Sequence, residues 1–154
     1  LDTIVFVCTG NTCRSSMAQA IAEHKKEEKG IEVEFLSAGL AAWEGAPASS
    51  QALQALKEMG IDLSHHRARG LNGEMVARAR LLLTMTRSQK ERLLALYPWA
   101  REKVFTLKEY IGKEEDIPDP FGQDVEAYRR LAQELSSLIE EFLDRYQESR
   151  GLTF

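Results

Sequence analysis

Cysteine is scarce in this chain: among its 154 residues only Cys8 and Cys13 are present. Two thiols inside one short segment make no disulfide framework, so a stapled secreted scaffold is excluded and a reducing, cytoplasmic setting is expected. Excess positive charge is also missing. Lys and Arg total 20 against 24 Asp and Glu, a net charge of −4, whereas a nucleic-acid partner calls for a basic face. No apolar run approaches the roughly 20 residues of a membrane span, and no signal-like charged-then-apolar stretch stands ahead of the first strand. Histidines number three. Two of them, His65 and His66, are adjacent, which is not metal-ligand spacing; they read as hydrogen-bonded structural residues, and neither metal nor cofactor is expected. Internal repeats and low-complexity segments are absent. The expected unit is one domain over residues 1–154, a monomer acting on another protein.

Hydrophobic pattern supplies the fold class. Residues 3–8 read as a fully buried strand, 15–29 as a helix ending at Gly30, and 31–35 as a second strand. Pro47 and Ser49-Ser50 open a helix that Gly60 stops. A short helix is expected over 72–77, a buried strand over 81–85, a helix from Ser88 to Leu96 and a strand over 103–107. A long amphipathic helix then runs from Val125 to Tyr146, its apolar stripe facing the core. Continuous apolar strands alternating with helices mean a parallel sheet covered on both faces, with ligands bound beyond the carboxyl ends of the strands.

Cys8 stands at the end of the first strand, followed by Thr9-Gly10-Asn11-Thr12-Cys13-Arg14-Ser15. Cysteine, five residues, then arginine is the spacing that wraps a loop around a tetrahedral oxyanion. Backbone N–H groups point inward, the arginine fork closes the rim, and the sulfur lies beneath. Thr9-Gly10-Asn11 suits a tight turn and Ser15-Ser16 a helix start. A loop feeding a helix N-terminus binds anions and stabilises a thiolate nucleophile. The bland alternative is a buried cysteine beside a surface arginine.

Such chemistry also needs a proton donor from another loop on the same edge. Asp119, in Ile117-Pro118-Asp119-Pro120-Phe121-Gly122, is the candidate, because two of the four prolines stiffen the chain around one carboxylate. A plain turn leading into the last helix is the competing reading.

The motif Val7-Cys8-Thr9-Gly10-Asn11-Thr12-Cys13-Arg14-Ser15 and the later Asp119-Pro120 resemble the low-molecular-weight protein tyrosine phosphatase family. The resemblance extends over the whole chain through Ser37-Ala38-Gly39, His65-His66-Arg67, Leu83-Thr84-Met85-Thr86 and Phe105-Thr106-Leu107. It implies a flavodoxin-like three-layer sandwich with a four-stranded parallel sheet, and hydrolysis through a phosphocysteine without metal. By that resemblance, Cys8 attacks phosphorus while Arg14 and the N–H groups of residues 9 to 14 (Thr9, Gly10, Asn11, Thr12 and Cys13 among them) hold its oxygens. Asp119 acts as acid and then base. Ser15 hydrogen-bonds the Cys8 sulfur, Asn11 braces the loop, and Phe121 flanks the substrate. Cys13 is either a partner for oxidised Cys8 or a small buried side chain.

Two departures bear on substrate. Thr12 stands where tyrosine-specific members usually carry a bulky aliphatic residue, and Phe121 is followed by Gly122 rather than by a second aromatic. Thr12 is similar to the variant in bacterial protein-arginine phosphatases of the family; the alternatives are a neutral exchange within a tyrosine phosphatase, and a phosphate-binding or phosphocarrier module that never hydrolyses. Trp43, after Gly39-Leu40, is a candidate either for the mouth of the site or for packing on the surface. Ser16 replaces a proline common at that position. Arsenate reductases share the loop but need downstream cysteines, which this chain lacks.

Overall fold

Ile4 to Val7 can be apolar at every position because both faces of their strand are covered. In the computed structural model, which describes residues 1–150, the side chains of β1 (Asp2–Cys8) alternate between two clusters. Ile4, Phe6 and Cys8 enter one, Val5 and Val7 the other. Helices α1 (Arg14–Lys29), α2 (Ser50–Lys57) and α6 (Val125–Ser149) cover the first face, and α3 (Gly73–Arg78) and α4 (Arg87–Leu96) cover the second. The strands β2 (Val33–Gly39), β3 (Leu81–Thr84) and β4 (Val104–Thr106) complete one sheet in the order β2-β1-β3-β4, every pairing parallel. This is the expected three-layer α/β architecture, with the order reversing beside β1, where open sheets of this type bind ligands.

Several boundaries differ from the sequence reading, each for a local reason. β2 starts at Val33, not Ile31, because the N–H of Ile31 is committed to Lys26 O in the termination of α1 after left-handed Gly30. β2 then continues to Gly39, which pairs with Cys8. β4 is limited to three residues because Thr106 leaves the strand to cap a short helix α5 (Leu107–Tyr110), in a reciprocal capping box with Glu109. Pro98–Lys103 forms a 3-10 turn, so Lys103 lies before the strand it was expected to begin. Two sequence-expected helices appear with their caps: Asn72 accepts from Met75 N, and Asp124 from Ala127 N at the start of the 25-residue α6. Its Leu135, Ile139, Phe142 and Leu143 are fully buried, and truncating a side chain such as Phe142 to alanine costs about 3–5 kcal/mol.

Candidate active site

The chain leaves β1 at Cys8 and re-enters regular structure at Arg14, one residue earlier than expected. Cys13, the residue before α1, provides no side-chain cap, so the first-turn N–H groups open directly onto the loop. The left-handed residue that turns the loop is Asn11, at φ 59°, rather than Gly10. Asparagine tolerates this region when its side chain is anchored, and here every side-chain polar group is used. Asn11 Nδ2 donates to Ser15 Oγ and Ser37 Oγ, both at 2.9 Å, and Oδ1 accepts from Arg69 N at 3.0 Å. Ser37 passes its own proton to Gln19 Oε1 at 2.6 Å. Ser15 Oγ already accepts from Asn11, so its proton is free for Cys8 Sγ, 2.9 Å away. The Asn11 N–H also points at that sulfur, at 3.3 Å. Two donors therefore converge on Cys8, a buried free thiol. The opposite side of Asn11 is held by His66, whose Nε2–H donates to Asn11 O at 2.6 Å. Burial lowers the His66 pKa from the ordinary value, Asn11 O opposes the shift, and Arg69 and Arg67 reinforce it.

Behind the loop, β2 approaches so closely that only glycine fits. A Cβ on Gly39 would sit 2.5 Å from Thr9 O and 2.9 Å from the Ala42 side chain. The same approach lets Leu40 N donate to Cys8 O and Ala41 N to Thr9 O, both at 2.9 Å.

Arg14 is buried and its fork bridges the two loops. One NH2 group donates to Ile117 O at 3.0 Å; the other lies 3.5 Å from Asp119 Oδ2. The acid loop is shaped by Asp119 itself, whose Oδ1 accepts from Phe121 N at 3.0 Å. Cys8, Thr9, Gly10, Asn11, Thr12, Cys13, Arg14, Asp119 and Phe121 line a pocket of about 230 Å³ at the carboxyl edge of the sheet. A sulfur beneath, an arginine at the rim and a carboxylate opposite form an arrangement suited to displacement at phosphorus.

Residues 3–151 match the model of the family described as low molecular weight phosphotyrosine protein phosphatase. The chain belongs to this family. A protein-arginine-phosphatase of Geobacillus stearothermophilus is 44% identical over 145 residues, 94% of this chain and 95% of that protein. A crystal structure of a low molecular weight protein tyrosine phosphatase from T. tengcongensis is similar at TM-score 0.91 and 46% identity, covering 94% of this chain and 99% of that one. The YwlE arginine phosphatase, as a cysteine-to-serine variant with a phosphorylated active site serine, gives TM-score 0.94 at 38% identity over 97% of this chain and 99% of that one.

Of the residues singled out from sequence, this phosphatase brings Cys8 to Ser15, Asp119 and Phe121 together. Trp43 is not among the pocket-lining residues; it is 84% exposed. His65 is exposed too, 3.8 Å from Asp62, and only His66 has the structural role expected of the pair. Cys13 turns its sulfur to Tyr128 Oη at 3.4 Å and lies 3.7 Å from Ser49 Oγ. Burial first, and the Cys13 contact second, push the Tyr128 phenol up to about 12, so it keeps its proton. Sequence reasoning gave no role to Ser37, Gln89, Tyr128 or the Ile117 carbonyl. Ser37 and the Met85 segment were visible only as family-like stretches without a partner.

Proposed function

We propose that the chain is a single-domain, cysteine-dependent protein-arginine phosphatase that works on phosphorylated proteins in the cytoplasm. Cys8, as thiolate, attacks phosphorus; the S–P bond forms as the N–P bond breaks, and Asp119 gives its proton to the departing guanidino nitrogen. Arg14 and the loop N–H groups take up charge on the three remaining oxygens, the main lever in phosphoryl transfer. Asp119, now a carboxylate, accepts a proton from water as the water oxygen attacks the phosphocysteine. The S–P bond breaks with its electron pair going to sulfur, and the Ser15 hydroxyl and Asn11 N–H stabilise the thiolate that forms. An arginine buried beside only one half-exposed carboxylate suits a doubly charged phosphoryl group.

The observation that carries the arginine reading is the pocket wall. Phe121 is its single aromatic residue among the described residues, and Thr12 lines it with a hydroxyl-bearing side chain. A guanidino group has N–H donors that a hydroxyl can accept, whereas an isoleucine at this place would offer only methyl contacts. Phe121, 77% exposed beside Asp119, favours the second reading, a protein tyrosine phosphatase, because a ring there can stack on a phenol. The test compares kcat/KM on phosphoarginine and phosphotyrosine peptides for the parent and Thr12→Ile. The expected result is a parent preference for phosphoarginine and a shift of the ratio toward phosphotyrosine by about tenfold or more; an unchanged ratio overturns the role of Thr12. A binding or carrier module would retain its phosphate affinity and show no dependence on Asp119.

A further inference from the structure

Gln89 is 6% exposed in the first turn of α4, and its side chain joins two separate segments, Met85-Thr86 and Thr9. Gln89 Oε1 accepts from Met85 N at 3.0 Å and Thr86 N at 3.1 Å, and Nε2 donates to Thr9 Oγ1 at 3.2 Å, 80 residues away in sequence. The orientation of the amide is forced: two backbone N–H groups require the oxygen on their side, so the NH2 faces the nucleophile loop. The Met85 carbonyl in turn accepts from Ile117 N at 3.0 Å, and the Ile117 carbonyl accepts from Arg14. One side chain thus joins Thr9, at the start of the anion loop, to the strand end on which the base of the acid loop rests.

Helix capping accounts for one of the three Gln89 side-chain contacts, that with Thr86 N. Thr86 and Gln89 form a capping box, and the chain contains a second one, Thr106 with Glu109. The Thr106–Glu109 box uses a carboxylate, which accepts from backbone N–H groups at least as well as an amide. Away from the pocket the burial cost of that charge is outweighed by Lys90, which pairs with Glu109 at 2.7 Å, and by the Thr106 N–H. At position 89 a carboxylate could not donate to Thr9 and would add negative charge next to an oxyanion site.

We propose that Gln89 is a positioning residue for phosphoryl transfer: it fixes Thr9 in the anion-binding loop and sets that loop against the Met85–Ile117 support of Arg14 and Asp119. The inference rests on the anion-binding role given to the Cys8–Arg14 loop. Gln89→Glu separates the roles, since it preserves every capping contact while deleting the donor to Thr9.

The experiment measures the rate of Cys8 alkylation by iodoacetamide, read by peptide mass, with and without inorganic phosphate, alongside kcat/KM for an aryl phosphate and the thermal midpoint. Expected for Gln89→Glu are a midpoint close to the parent's, a phosphate concentration for half-protection raised at least tenfold, and a parallel fall in kcat/KM that shrinks toward pH 5 as the new carboxyl is protonated. Thr9→Val, which removes the acceptor and keeps the bulk, weakens protection in the same direction, and the double variant is no worse than the poorer single one. Protection of Gln89→Glu within twofold of the parent overturns the proposal, as does a loss that merely follows a lowered midpoint. Failure of phosphate to protect the parent is a different result, visible before any variant is made; it removes the anion-site reading itself and this inference with it.

Discussion

The nucleophile loop and the acid loop meet in one pocket but are built by opposite means. In the Cys8–Ser15 segment Cys8, Asn11, Cys13, Arg14 and Ser15 are buried, and Asn11 alone is tied to Ser15, Ser37, Arg69 and His66. From Pro118 to Gln123 most residues are exposed, and the loop is held by its own Asp119–Phe121 turn, two prolines and the Arg14 contact. The difference follows the tasks proposed for the two loops. An oxyanion site must present fixed dipoles, since reorganising them during reaction would cost the stabilisation they provide. An acid that serves first as donor and then as base needs solvent and room for a water. Rigidity comes from buried cross-links in the first case and from proline in the second.

Substitutions sharpen this contrast. Cys8→Ser should show the largest effect, lowering turnover of an aryl phosphate by more than about 10⁴-fold while the protein still folds; steady-state kinetics with a thermal melt checks both. Asp119→Asn should lower kcat by about 10²–10⁴-fold and leave the affinity for inorganic phosphate and the thermal midpoint near the parent's, because the acid loop carries rate but little structure. Gly39→Ala attacks the other loop through its backbone. Forcing a methyl against Thr9 O should cost about 1–3 kcal/mol of stability and weaken phosphate binding together with turnover, a joint loss that Asp119→Asn must not show.

The smallest effect concerns pH. The folded-state pKa of His66 lies below its unfolded value near 6.5, so the neutral form supports the cradle. That support is present above about pH 6.5 and is lost as pH falls through this value toward the folded one. The thermal midpoint of the parent should therefore drop between pH 7.5 and 5.5 by more than that of His66→Gln, which keeps an N–H donor without a titrating ring. Equal drops would remove His66 from the account.

Sequence revealed the nucleophile loop almost completely because its parts are contiguous: one strand, one turn and one helix start lie within eight residues. Asp119 was readable because proline on both sides marks a constrained carboxylate. The sheet was readable from its unbroken apolar strands. Most supporting residues were not, since Ser37 and Gln89 are ordinary polar residues whose meaning comes from atoms 26 and 80 positions away; His66 was expected to be structural, but its partner, Asn11 O, was not foreseen. Nor does local pattern announce that Asn11, not Gly10, takes the left-handed turn; that choice depends on Ser37 and Arg69 being in place to hold its amide. Trp43 shows the opposite error, an aromatic near the right strand end that the pocket does not use.

The grip of Arg14 on the Ile117 carbonyl has a consequence for how such a protein can change. A main-chain oxygen survives every point substitution, so this anchor of Arg14 does not depend on which side chain stands at position 117. Length is the vulnerable variable: one residue inserted between Ile117 and Asp119 would leave the arginine anchored and carry the carboxylate out of reach.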